Sequence, residues 1–366
     1  MPDRFNPYAV VLARRAKEMS QTDLAGAVGV TQATVSHWEK GQRVPEPEVL
    51  ERIASVLDVL PLTLRDESVA ATTPMFRATG VSKKKDERKI EGRTELARLG
   101  ASRILEEVNV ASTLSWPSVD DPLGDDPEVA ASTLRRVWRI PPGPVANLTQ
   151  FIESAGAIVL RVDFGHPKVE AAYAHPRRES KRWILMNTYM DDWARSRLTV
   201  AHELGHAMLH HWDAYNVPGE RDREAQAYKF ALALMVPAED FILDIAHTKC
   251  QWDDFLRLRH KWGISAAALA RRARDLGFLN ASAYKSLNIT RRQRGHWTSE
   301  PGADAELERP TVFPEAVSLL RDSAGWNEGH FAEIAGLPYS RLAELLPEDF
   351  STPSEPTAAV TLRRIK

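Results

Sequence analysis

TVAHELGHAMLHH, residues 199–211, places four histidines and one glutamate within thirteen positions. His202, Glu203 and His206 spell H-E-x-x-H. The surrounding MDDWARSRLTVAHELGHAMLHH (190–211) has no proline and opens on Asp191 and Asp192, which predicts one long helix. Residues four apart share a helix face, so both imidazoles project together, close enough to hold one ion. A borderline ion such as Zn²⁺ takes imidazole nitrogen readily. Glu203 can then reach a water on that ion and act as general base, the water's pKa being lowered towards about 7. The plain alternative is the exposed polar edge of an ordinary helix. Against it, the motif is embedded in Val200, Leu204, Met208 and Leu209, so the helix reads as a core element. It also follows the strand candidate WILMN (183–187).

An open metal site needs a third protein ligand, with the fourth position left for water. His210 lies about 12 Å along the axis from His202, too far to share the ion. His210 and His211 read as surface residues at the helix end, with His210 lining the cleft as the alternative. The metzincin pattern would need glycine at position 209 and histidine at position 212, where this chain has Leu209 and Trp212. The third ligand must come from another element. REAQAYKFALALMVP (223–237) reads as the next helix, with Ala227, Phe230, Ala231 and Leu234 on an apolar face and Pro237 as its end. Packed antiparallel to the first helix, it would bring Glu224 back to the metal.

TVAHELGHAMLH followed by E-x-x-A-x-x-F-A-x-x-L-M-x-P resembles the ImmA/IrrE metallopeptidase family, which is gluzincin-like. The resemblance covers roughly residues 130–240. It implies His202, His206 and Glu224 as metal ligands and Glu203 as the catalytic glutamate, with Zn²⁺ as cofactor and Mn²⁺ or another divalent ion as alternatives. One position departs from the family, which usually has Asn or Asp four residues after the third ligand; here it is Tyr228. Tyr228 shares a helix face with Glu224. It is either a hydrogen-bond partner of a ligand histidine, a donor to a developing oxyanion, or a core tyrosine.

The N-terminus carries a different pattern. SQTDLAGAVGV (20–30) has Ser20 and Asp23 at capping-box spacing and Leu24, Ala25 and Val28 as a buried stripe. Gly29 suits a tight turn between crossing helices. TQATVSHWEKG (31–41) comes next, with Thr31 as N-cap, Val35 and Trp38 inward and Gly41 as stop. Helices before (7–19) and after (45–59) complete a helix-turn-helix arrangement, whose second helix lies in the major groove. Gln32, Ala33 and Ser36 would face the bases, Gln21 would hold a phosphate, and Arg14 and Lys40 would contact DNA regardless of sequence. The segment resembles the XRE (Cro/repressor-type) helix-turn-helix family, and XRE and ImmA/IrrE modules often occur fused. Residues 1–65 hold eight Lys/Arg and eight Asp/Glu, so charge adds little to this reading, and a protein-binding module is the competing one.

The rest of the chain sets limits. At 366 residues it is long enough for two or three domains. A hydrophobic content of 43% and a charged content of 27% are those of a globular protein. The single cysteine, Cys250, rules out an intramolecular disulfide and a Cys-based zinc site. With no signal-peptide or membrane-span pattern, a cytoplasmic location and no membrane partner are expected. Residues 66–92 are polar and aperiodic and read as a linker; 93–110 read as a helix. AIVLRVD (157–163), VEAAYAH (169–175) and WILMN are strand candidates. HFAEIAGLPYSRLAEL (330–345) loosely echoes the N-terminal helix-turn-helix, and the tail STPSEPTAAVTLRRIK reads as mobile.

The expected fold is α+β and mostly helical. The expected domains are a DNA-binding module (1–65), a linker (66–92), a metallopeptidase domain with a small sheet (93–290), and a helical C-terminal region with a tail (291–366). The expected function is a DNA-binding regulator whose peptidase domain cleaves a repressor-type protein, separate or its own helix-turn-helix, to relieve repression under stress. The expected partners are DNA carrying an inverted repeat and a repressor as substrate, with a homodimer as an option. The competing function is a transcription factor whose metallopeptidase-like domain only senses a signal. An intact Glu203 speaks against that, because a purely structural metal has no use for a general base.

Overall fold

The computed structural model describes residues 5–66, 84–117, 126–175, 181–210, 219–302, 305–347, 350 and 361–364. The N-terminal module comprises α1 (Pro7–Ala16), α2 (Gln21–Val28), α3 (Gln32–Glu39), α4 (Pro47–Leu57) and the short α5 (Pro61–Arg65). Its turns arise from local chemistry. Ser20 Oγ accepts from Asp23 N–H, and the Asp23 carboxylate accepts from Ser20 N–H, so a capping box opens α2. Gly29 closes it at φ 76°, a left-handed conformation that glycine adopts without a Cβ clash. Thr31 Oγ1 then accepts from Thr34 N–H and starts α3.

The chain divides into two compact units that are interleaved in sequence. One comprises Met1–Thr113, Gly156–Tyr189 and Pro310–Lys366; the other comprises Leu114–Ala155 and Met190–Arg309.

In the first unit, the N-terminal module shares one hydrophobic core with residues between 90 and 108, between 158 and 185, and between 312 and 345. Helix α6 spans Lys84–Leu105, so it begins inside the stretch that reads as linker. Packing overrides the weak periodicity there. Ile90 is buried, and Gly92 lies so close to α1 that a Cβ would sit 2.5 Å from Ala16 N. Charged residues on α6 are buried as pairs: Arg98 and Glu95 are 2.6 Å apart with both side chains almost fully enclosed. Each would be costly to bury alone.

Strand β1 (Val108–Ala111) comes after α6, where the sequence reads as helix to residue 110. It pairs antiparallel with Thr361–Arg364, in the stretch that reads as a mobile tail. The strand candidates become β2 (Ile158–Val162), β3 (Ala171–Ala174) and β4 (Trp183–Asn187). They form a sheet of order β2-β4-β3, with β2 parallel and β3 antiparallel to β4.

The echo of the helix-turn-helix in this unit is real in its backbone. Asn327 caps an eight-residue helix, Glu328–Ala335, as Ser20 caps α2, and Gly336 at φ 71° ends it as Gly29 does. Its use is different. The Gly336 carbonyl accepts from Leu60 N–H (2.9 Å) and Thr63 Oγ1 (2.7 Å), which anchors α5.

The second unit is helical: α7 (Pro127–Val137), α8 (Leu148–Ser154), α9 (Trp193–Leu209), α10 (Glu220–Met235), α11 (Ala238–Ile245), α12 (Trp252–Trp262), α13 (Ala266–Asp275) and α14 (Ala281–Gln293). Helices α9 and α10 cross at Gly205, where a Cβ would lie 2.9 Å from Ala227 O and 3.0 Å from Ala227 Cα. Only a residue without a side chain allows that approach. Buried guanidinium groups hold the far end of α10. Arg135 donates to Leu234 O (2.7 Å), and Arg272 donates to Val236 O (2.9 Å) while pairing with Glu128. The last turn of a helix leaves carbonyls without partners, and these arginines supply them. Among the described residues, no helix is long and apolar enough to cross a membrane.

Candidate metal centre and DNA-facing helix

Asp192 starts α9 by accepting from Arg195 N–H (2.7 Å). Val200, Ala201, Leu204 and Met208 are buried and fix the rotation of the helix. The opposite positions, His202, Glu203 and His206, are half-buried. The close crossing at Gly205 brings Glu224 over from α10.

The structure gathers His202, His206 and Glu224. His202 Nε2 is 3.1 Å from His206 Nε2 and 3.1 Å from Glu224 Oε2, and His206 Nε2 is 3.4 Å from Glu224 Oε1. One donor atom from each lies within 4.8 Å of the others. Donors held at about 2.0–2.1 Å in a tetrahedron sit about 3.3 Å from one another, so this triangle has the edge length a zinc-like ion needs. Glu224 Oε1 is also shielded from solvent and makes no aligned hydrogen bond among the described residues. A buried acceptor left in that state is costly, and a cation would satisfy it. The donor set therefore fits a divalent ion with an open position.

Electrostatics agree with the geometry. Burial works to raise the Glu224 carboxyl, but His202, hydrogen-bonded to it at 3.1 Å, and the neighbouring His206 outweigh it and hold it well below the usual carboxylate range. Glu224 therefore carries its charge at neutral pH. Glu203 lies beside His202 on α9 and is not one of the three clustered donors. Glu220 and Asp222, on the first turn of α10, are exposed.

Tyr228 is half-buried, and its phenol is pushed up to about 12. Burial is the main cause; Tyr284 and Asp275 add to it, and Arg271 and Arg291 oppose it. The groups acting on this phenol thus belong to α13 and α14.

His210 corrects the sequence reading. It is buried, not a surface residue, and its Nδ1 lies 3.0 Å from His206 Nδ1. Its Nε2 lies 3.1 Å from Gln226 Oε1. The signal was present: His210 is one turn from His206, and Gln226 shares a helix with Glu224. The reading of His210 as a surface residue missed the contact because Gln226 comes from the next helix. His211 lies outside the described residues.

In the N-terminal module, Gln32, Ala33 and Lys40 are exposed and Ser36 is half-buried. Gln32 Nε2 donates to Gln21 Oε1 (2.6 Å), and Gln21 Nε2 donates to Glu39 (2.7 Å). The two glutamines expected at DNA are thereby tied together. Arg14 forms a bidentate pair with Glu39 (2.6 and 3.0 Å) and donates to Met19 O (2.7 Å). It braces α1 against α3 as well as carrying charge.

Residues 12–64 match the Helix-turn-helix family, and residues 152–274 match the IrrE N-terminal-like domain family. No curated protein matches the chain. The chain therefore joins a helix-turn-helix of the XRE type to a metallopeptidase-like domain. The second module is of the ImmA/IrrE kind, and its matched segment contains His202, Glu203, His206 and Glu224.

Proposed function

We propose that this protein is a DNA-binding regulator whose second module is a metal-dependent endopeptidase acting on a repressor-type protein, either a separate chain or its own helix-turn-helix. Cleavage would relieve repression, in keeping with a stress response. The observation that carries this reading is the triangle of His202, His206 and Glu224, closed by two helices, with Glu203 following His202 on α9 and outside the donor set.

Zn²⁺ suits the three donors, and Mn²⁺ is the alternative that the same donors can hold. Such an ion supplies Lewis acidity, polarising the scissile carbonyl and acidifying water. The chain's own residues do the rest. His202 and His206 present Nε2, and Glu224 contributes a carboxylate that is already ionised. Glu203 takes the proton from the attacking water and returns it to the leaving amine nitrogen. The site is half-buried, which strengthens these charges relative to open water.

The test is incubation with a purified repressor-type helix-turn-helix protein, and of the chain alone, read as fragments on a gel. Fragments are expected with Zn²⁺ or Mn²⁺, absent with a chelator and restored on adding back metal. Metal uptake without cleavage of any such repressor would favour the sensing role.

The helix-turn-helix has its own expected result. The full chain should bind a short inverted repeat, with affinity falling steeply as salt rises. Gln32→Ala should relax base preference, costing about 1–3 kcal/mol on the preferred site. Lys40→Ala should weaken all duplexes alike. Equal binding to every duplex at every salt, measured by anisotropy, would point to a protein-binding module.

A further inference from the structure

We infer that Gln226 and His210 form a relay that fixes the tautomer of His206, and so holds Nε2 of that ring ready for a metal ion. The inference rests on the metal site proposed above and deepens it.

The chain of contacts has one consistent polarity. Gln226 Oε1 can only accept, so His210 Nε2, 3.1 Å away, carries the proton. His210 Nδ1 is then a bare acceptor. It lies 3.0 Å from His206 Nδ1, so His206 Nδ1 must carry the next proton. That leaves His206 Nε2 with a free lone pair, and Nε2 is the atom facing His202 Nε2 (3.1 Å) and Glu224 Oε1 (3.4 Å). The reverse polarity would put a proton on His206 Nε2, inside the triangle, where it would block an ion.

The relay is built rigidly. His210 is buried, and its backbone N–H donates to His206 O (3.2 Å) at the end of α9. Its ring is tilted 47° to that of His206, with centroids 5.1 Å apart. Gln226 comes from α10, two residues after Glu224, so the helix that supplies the third donor also sets the polarity. Ligating histidines ordinarily donate their other N–H to a carboxylate, carbonyl or water. Here a second imidazole takes that place. His210 and Gln226 are positioning residues; neither touches the ion or the substrate.

The experiment compares the full-length protein with His210→Phe, His210→Asn and Gln226→Met. Zn²⁺ affinity is measured by competition with a chromogenic chelator. The His206 tautomer is read from ¹⁵N-histidine NMR of the Zn²⁺-loaded protein. His210→Phe keeps a ring of similar size but no acceptor, and should weaken Zn²⁺ about 10–100-fold. His210→Asn places an oxygen near the position of Nδ1 and should restore affinity to within a few-fold. Gln226→Met should weaken binding without emptying the site, and it carries the test if His210→Phe fails to give a cooperative melt. NMR of the wild type should show the proton on His206 Nδ1.

Wild-type affinity in both His210→Phe and Gln226→Met would overturn the relay. So would His210→Asn as weak as His210→Phe, because that pattern is packing alone. A wild type that takes up no Zn²⁺ would overturn the metal site itself, and the relay with it.

Discussion

Glu203→Gln is expected to keep close to one divalent ion per chain and to lose peptide cleavage by about 10²–10⁴-fold. The two readouts separate because the residue has one role and not the other. The structure closes the donor triangle with His202, His206 and Glu224, and Glu203 is not part of it. Removing its charge therefore takes no donor from the ion. The amide is nearly the same size, so α9 keeps its packing through Val200, Leu204 and Met208. What the amide cannot do is accept a proton from water at neutral pH. Metal content by elemental analysis and cleavage of the repressor by gel decide the matter. An emptied site would make Glu203 a ligand. Undiminished cleavage would mean that the proton goes elsewhere.

The parts of this molecule that were legible in the sequence are those set by near neighbours in the chain. The Ser20–Asp23 box, the left-handed Gly29 and the Thr31 cap are contacts over one helical turn, and each is where the spacing puts it. The same holds for His202 and His206, one turn apart on α9. β2, β3 and β4 were visible as short apolar runs because they are buried along nearly their whole length, Arg161 of β2 being half-buried.

What was hidden depends on distant partners. β1 pairs with Thr361–Arg364, about 250 residues away, and nothing in either tetrapeptide specifies the other. The first turns of α6 look like linker because they are charged, yet Gly92 sits against the backbone of α1. Buried charge misleads in the same way. Arg98, Arg197, Arg259 and Arg272 read as surface residues by type, but all are almost fully enclosed. Glu95, Glu308, Glu300 and Glu128 pair with them in turn. Burial by pairing cannot be read from hydrophobic periodicity. His210 belongs to the same class: its partners are His206 and Gln226, and only the second helix reveals the contact.

Glu224→Ala is expected to lower metal affinity by more than the about 10–100-fold that loss of an outer partner costs, and to abolish cleavage. Glu220→Ala and Asp222→Ala should leave both nearly intact. All three acids lie within five residues on the first turns of α10, so composition does not distinguish them. Position does. Glu220 and Asp222 are exposed, where water solvates a carboxylate at no cost. Glu224 is half-buried, 3.1 Å from His202 Nε2, with its other oxygen shielded from solvent. Its approach depends on the crossing at Gly205, which brings Ala227 and the residues one turn before it against α9. The imidazoles already hold this carboxyl well below its usual range, so no proton has to leave Glu224 for the ion to bind at neutral pH. Removing it leaves two histidines, a set that can hold an ion only with extra waters and far less tightly. Isothermal titration of the three variants with Zn²⁺ gives the order. If Glu220→Ala or Asp222→Ala emptied the site while Glu224→Ala bound as the wild type does, the third donor would have been misassigned. The gluzincin-like centre would then be wrong at its most distinctive position.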